Sequence, residues 1–160
     1  MTKSLWHGQL RDGLATMGLS LDEDRQEKLL AFLGLLNKWN RAYNLTAVRD
    51  ERVMVSRQLL DSLSILPWVT TDHLLDVGAG GGLPGIPLAI ALPEKRFTLL
   101  DSNGKKARFL RHAARTLKLA NVTVAEARVE AWMPPAPYSL ITSRAFAALG
   151  EDGAALLEDE

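Results

Sequence analysis

Asp76-Val77-Gly78-Ala79-Gly80-Gly81-Gly82-Leu83-Pro84-Gly85 is the stretch that decides the fold. An apolar run, His73–Val77, leads into it, and a helical pattern near Pro84–Leu92 leads out. A glycine-rich turn between strand and helix is where open parallel sheets bind ligands, at the carboxyl ends of their strands. The pattern then repeats downstream. Phe97–Leu100 reads as a second strand and Lys105–Leu119 as its helix. Val122–Ala125 is a third strand. Leu140–Thr142 is a fourth, after the turn-forming Pro134, Pro135 and Pro137. Strand alternating with helix predicts an α/β fold with a parallel sheet and helices on its faces.

Upstream, the first seventy residues read as an N-terminal helical region. Ser20 with Glu23 forms a capping-box pattern, and Asp22, Glu23 and Asp24 suit a first turn. Leu29, Leu30, Leu33, Leu36 and Trp39 follow at helical spacing. Leu5, Leu10, Leu14 and Met17 suggest a shorter helix before it. Asp50 is placed to cap a third, with Val53, Leu60, Leu63 and Leu66 inward and Pro67 at its end. The expected organisation is therefore helices over 1–70, an α/β core over 71–147 and a short acidic tail over 148–160.

Composition bounds the function. The chain has 160 residues, 47% of them hydrophobic and 24% charged, an ordinary globular balance. The absence of cysteine excludes disulfides, thiolate metal sites and a cysteine nucleophile. Residues 1–150 hold all 19 bases and 14 of the 19 acids, a net of +5 that permits a polyanionic partner. The N-terminus has no apolar signal core and no run is long enough for a bilayer, so a cytoplasmic protein without membrane contact is expected. The sequence does not give the oligomeric state, and a monomer is the favoured expectation.

Two ligands compete for the turn. Gly80, Gly82 and Gly85 formally satisfy the dinucleotide fingerprint, but its register is poor, because the strand-adjacent glycine is Gly78 and the sixth position from it is Leu83. Asp76, Gly78, Gly80 and Gly82 fit better the acidic-x-Gly-x-Gly-x-Gly pattern of S-adenosylmethionine (SAM)-dependent methyltransferases. A carboxylate before the turn suits a cationic amino-acid group, whereas a pyrophosphate gains nothing from it. Asp101, 23 residues after Gly78, ends the second strand, where an acid accepts ribose hydroxyls. The competing reading of Asp101 is a plain cap for the helix entered through Ser102–Gly104.

Three motifs occur in order: Trp39-Asn40-Arg41-Ala42-Tyr43-Asn44-Leu45-Thr46-Ala47, the turn with its Leu83-Pro84-Gly85-Ile86-Pro87-Leu88 continuation, and Ser143-Arg144-Ala145-Phe146-Ala147. Together they resemble the bacterial 16S ribosomal RNA guanine-N7 methyltransferase family, known as glucose-inhibited division protein B. The resemblance runs from about residue 20 to Ala147. It implies a SAM-dependent enzyme that methylates N7 of a guanine in 16S rRNA, as free RNA or in the 30S subunit. It carries cofactor positions onto Gly78, Leu83, Val129, Glu130 and Arg144, beside Asp76, Gly80 and Asp101. That family continues past the third motif through further helices and strands, while only Ala148–Glu160 follow here, so its last strands are expected to be missing.

Methyl transfer to N7 needs alignment more than acid–base help, since N7 has a free in-plane lone pair. No catalytic acid–base set and no metal site are therefore expected, and His7, His73 and His112 lack ligand spacing. Arg144 is the candidate substrate contact, to the guanine O6 or a phosphate; its competing role is a salt bridge to Asp76 or Glu130. Lys105, Arg108, Arg111, Arg115 and Lys118 share one helix face, beside a buried stripe of Ala107, Leu110, Ala114 and Leu117. Arg41, Arg49, Arg52 and Arg57 form a second basic set. Trp6, Trp39, Trp68 and Trp132 are read as packing residues rather than base-stacking ones. The alternatives are an RNA-binding module that keeps the cofactor fold without turnover, and a nicotinamide oxidoreductase.

Overall fold

The computed structural model describes residues 2–132 and 140–142. Arg144, the Ser143–Ala147 motif, the proline turn and the acidic tail lie outside the described residues.

Four parallel strands form one sheet in the order β3-β2-β1-β4: β1 is His73–Val77, β2 Arg96–Asp101, β3 Val122–Glu126 and β4 Leu140–Thr142. The register pairs Asp76 with Leu99 and with Thr142, and Asp101 with Glu126. The chain winds outward from β1 to β3 and then returns to the far side of β1. The strand order therefore reverses at β1, the switch point where such sheets open a crevice.

The two faces of the sheet are covered differently. Leu74, Asp76, Phe97 and Leu99 face a helical layer. Leu75, Val77, Leu100 and Ile141 face the other way, with Ala127, Val129 and Trp132 against them. Helices α5 (Gly85–Ala91) and α6 (Gly104–Thr116) belong to the first layer, and the N-terminal helices pack over them. One continuous apolar cluster runs from Leu10 and Leu14 through Leu33 and Leu36 to Ile86, Leu99 and Phe109. The helical region and the sheet thus share a core.

Helix α1 (Thr2–Met17) ends where Gly18 takes φ 72° and Leu19 N–H reaches back to Leu14 O, satisfying the last carbonyls. It buries Trp6, Leu10 and Leu14; Leu5 and Met17, read as part of its inner stripe, are exposed. Helix α2 (Glu23–Tyr43) is capped by Asp22, whose carboxylate accepts Arg25 N–H at 2.9 Å, and not by Ser20. Asp22 stands directly before the helical dihedrals begin, and Ser20 is two residues too early.

The third helical segment departs from its reading. Helix α3 (Glu51–Met54) is capped by Asp50 as expected, but Val55–Leu60 widens into a π-helix before α4 (Asp61–Leu63). Asp61 N–H bonds Ser56 O, five residues back. The wider turn shifts the inner face to Met54, Val55, Gln58, Leu59, Ser62 and Leu63, leaving Val53 and Leu66 only half-buried. Gly13 of α1 lets Leu60 lie against the backbone, where an added Cβ would collide with its Cδ1. Trp68 is 70% exposed, contrary to its reading as a packing residue.

Candidate functional site

The turn after β1 is built on two buried aspartates. Asp76 has no exposed surface. Its Oδ2 accepts Gly85 N–H at 3.0 Å and its Oδ1 accepts the Thr142 hydroxyl at 3.3 Å, so it ties the start of α5 to β1 and β4. An isolated buried carboxylate is costly, and these donors offset that cost. Gly85 must be glycine for this approach, because a Cβ there would collide with Leu99 and stand 2.8 Å from Asp76 Oδ2.

Asp101 lies at the matching end of β2 and is 7% exposed. Its Oδ2 accepts Gly80 N–H at 2.8 Å and its Oδ1 accepts Asn103 N–H at 2.8 Å. Asn103 in turn caps α6, accepting from Lys105 and Lys106 N–H. Asp101 thus braces both loops at once, and the cap proper is Asn103. A carboxylate offers about four lone-pair positions, so two remain for a ligand.

Between these loops a cleft of about 270 Å³ opens at the carboxyl ends of β1, β2 and β3. Val77, Gly78, Leu100 and Asp101 form one side, and Ala127, Arg128, Val129 and Glu130 the other. The volume is just below the ~300 Å³ at which drug-sized sites begin, the scale of a nucleoside. Of the residues expected at the site, Gly78, Asp101, Val129 and Glu130 line this cleft together. Gly80 stands behind it through its bond to Asp101, and Asp76 and Leu83 are buried in the supporting structure. Sequence reading missed Ser102, Ala127 and Arg128 as lining residues. Their only signal is position, after β2 and after β3. Arg128 approaches Glu130 at 3.9 Å, both largely exposed.

Most of the turn's backbone donors already have internal partners. Gly78 and Ala79 N–H bond Leu100 O, Gly82 N–H bonds Ala79 O and Ile86 N–H bonds Gly82 O. With Gly80 on Asp101 and Gly85 on Asp76, the first N–H groups of α5 meet internal acceptors. A pyrophosphate site needs such groups free and a positive helix end uncompensated. The buried Asp76 takes the Gly85 N–H and sets a carboxylate at that helix end, which disfavours the dinucleotide reading.

Behind the turn lies the segment 44–46. Asn44 ends α2 at φ 51° and Leu45 is buried. An added Cβ on Gly81 would stand 3.1 Å from Leu36 Cδ1 and 3.4 Å from Leu45 O. Thr46 holds the segment in place: its N–H bonds Asn40 Oδ1 at 2.9 Å, and its hydroxyl accepts Gln58 Nε2 at 3.1 Å. Asn40 and Gln58 are both buried. The Trp39–Ala47 motif therefore supports the turn from behind.

The histidines are dispersed. His7 meets Glu27, His73 meets Thr98 and His112 stacks on Trp39. Among the described residues no three His, Asp or Glu side chains converge as metal ligands would, and no helix is long and apolar enough to cross a membrane.

The family model described as rRNA small subunit methyltransferase G matches residues 25–156. The ribosomal RNA small subunit methyltransferase G of Marinobacter nauticus is 72% identical over 149 residues, covering 93% of this chain and 70% of that one. The protein of the same name from Ectopseudomonas mendocina is 60% identical over 143 residues, covering 88% and 67%. The chain thus spans about two thirds of the length of these relatives. Among solved structures, an O-methyltransferase-like protein from Klebsiella pneumoniae superposes with a TM-score of 0.52 at 16% identity, over 88% of this chain and 61% of that one, a likeness of fold.

Proposed function

This chain belongs to the rRNA small subunit methyltransferase G family, so it is a methyltransferase of small-subunit ribosomal RNA, and we propose that it moves the methyl group of SAM to N7 of a guanine in 16S rRNA. The observation that carries the cofactor reading is the cleft between Gly78, Asp101 and Val129, beside a turn most of whose N–H groups are spent internally. Such a site favours a nucleoside over a pyrophosphate.

The residues fit an adenosyl group. Asp101 offers its two unused lone-pair positions to the ribose hydroxyls. Val77, Leu100, Ala127 and Val129 give the apolar walls an adenine ring needs. Gly78, at φ 66°, lets the ligand approach the backbone without a Cβ in the way. Asp76 acts at one remove, by fixing the start of α5 and the end of β4. Arg144 is assigned to the pocket wall or the acceptor base on the strength of the motif alone.

SAM supplies an electrophilic methyl carbon on a positive sulfur. The protein's part is to hold that carbon in line with N7, which gives up no proton, so the gain comes from proximity and orientation. The compartment that fits this substrate is the cytoplasm.

Calorimetry with S-adenosylhomocysteine and with NAD, followed by transfer of labelled methyl groups into 30S subunits and naked 16S rRNA, tests the reading. Binding of S-adenosylhomocysteine, no binding of NAD and label recovered as N7-methylguanine are expected. Label on another atom overturns the acceptor assignment. Binding of NAD alone overturns the cofactor assignment. Cofactor binding without transfer supports a non-catalytic RNA-binding module instead.

A further inference from the structure

A second cavity, of about 450 Å³, lies between α2 and α6, lined by Trp39, Gly104, Arg108, Arg111, His112, Arg115 and Glu126. Its position matters as much as its charge. Gly104 and Glu126 line this groove, while Ser102, Ala127 and Arg128 line the cofactor cleft. The two cavities are therefore lined by neighbouring residues at or just beyond the ends of β2 and β3.

The floor of the groove is aromatic. His112 stacks on Trp39 at 4.9 Å, and Trp39 in turn contacts Tyr43 at 5.3 Å and Phe109 at 5.5 Å. Lys105 stands 6.0 Å over the Tyr43 ring. The rim is cationic. Arg108, Arg111 and Arg115 recur at three- and four-residue steps, so they repel one another along the helix. Glu126 reaches Arg111 at 3.3 Å. Among the described residues, Arg108 and Arg115 have no acidic partner.

The other basic set differs. Asp50 holds Arg52 through two side-chain bonds of 3.0 and 3.1 Å, and Asn44 holds Arg49. Those guanidinium groups serve local structure. Uncompensated charge over an aromatic floor is the arrangement that takes a nucleic-acid backbone, with phosphates on the cations and a base or sugar against the rings.

We propose that the α2–α6 groove is where the phosphate backbone of the RNA substrate docks, an inference that rests on the reading of the chain as an rRNA methyltransferase.

The experiment measures the affinity of the full chain for a labelled 16S rRNA transcript across a series of salt concentrations. The Arg108→Gln/Arg115→Gln variant is compared with the wild type and with Arg49→Gln/Arg52→Gln. Each lost phosphate contact removes about 0.7–0.9 from the slope of log affinity against log salt, so the first variant is expected to lose about 1.4–1.8 in slope. Its affinity should fall roughly tenfold at moderate salt. Its calorimetric affinity for S-adenosylhomocysteine and its thermal midpoint should match the wild type, which separates lost docking from lost folding. The second variant should keep the wild-type slope. A wild-type slope in the first variant, or an equal loss in the second, overturns the groove while leaving the methyltransferase reading intact. A wild type that binds S-adenosylhomocysteine but neither binds nor methylates RNA overturns both.

Discussion

Asp76 and Asp101 stand at the carboxyl ends of neighbouring parallel strands, carry the same side chain and are both buried, yet they do different work. Asp76 is turned into the protein, with Gly85 N–H and the Thr142 hydroxyl on its two oxygens and no surface exposed. Asp101 bonds backbone N–H groups on both sides but also forms part of a cleft wall. The difference follows from what each helix start requires. Helix α5 begins with Gly85 and has no side-chain cap, so its first donor falls to the strand's own carboxylate. Helix α6 has Asn103 as its cap, and that leaves Asp101 with capacity for something outside the protein.

The largest effect should come from the inward corner. Asp76→Ala strands the buried Gly85 N–H and the part-buried Thr142 hydroxyl at ~1–3 kcal/mol each, so urea unfolding should show a loss of about 3 kcal/mol with an unchanged slope. A loss no larger than that of Asp101→Ala would erase the distinction between the corners. Gly85→Ala probes the same corner by crowding. Its Cβ meets Leu99 and Asp76, and overpacking of that kind costs about 2 kcal/mol, read again by denaturation. The outward corner should be sensitive in binding instead. Asp101→Ala should weaken S-adenosylhomocysteine by at least tenfold, about 1.4 kcal/mol, in calorimetry. Unchanged affinity would assign Asp101 to loop bracing alone.

The smallest effect calibrates the comparison with an exposed aspartate. Asp50 titrates below the ordinary carboxylate range, chiefly because the Arg52 side chain hydrogen-bonds its charged form. A lowered folded-state pKa means the contribution is present above the unfolded pKa and fades as pH falls through the folded one. Carbon-detected NMR titration should show the Asp50 midpoint moving up in Arg52→Gln, with scarcely any change in thermal midpoint, since exposed pairs contribute little.

Most of the α/β half was legible because strand and turn chemistry are local. His73–Val77 and Leu140–Thr142 coincide with the observed strands, and the other two differ by a residue or so at their ends. The site was legible where it depended on the glycine turn and the strand-end acid. It was not legible where distant segments meet. Thr46 and Gln58 are polar, so no apolar stripe marks them, yet they lock the segment behind Gly81. The π-helix at Val55–Leu60 breaks the 3.6-residue period from which its inner face was read. On α6, Phe109 and Ala113 join Ala107 and Leu110 in the core while Ala114 is only partly buried. That face is set by Phe32 and Trp39 on α2, which the spacing within α6 does not contain.

The contact of Gly81 with Leu36 and Leu45 makes the N-terminal helices a backstop for the glycine turn. A version of the protein trimmed to its sheet would keep every glycine of the turn and lose the wall it leans on. The helical layer is consequently not an exchangeable module. Any transplant of the site onto another scaffold would have to carry Leu36, Leu45 and the Thr46 latch along with it.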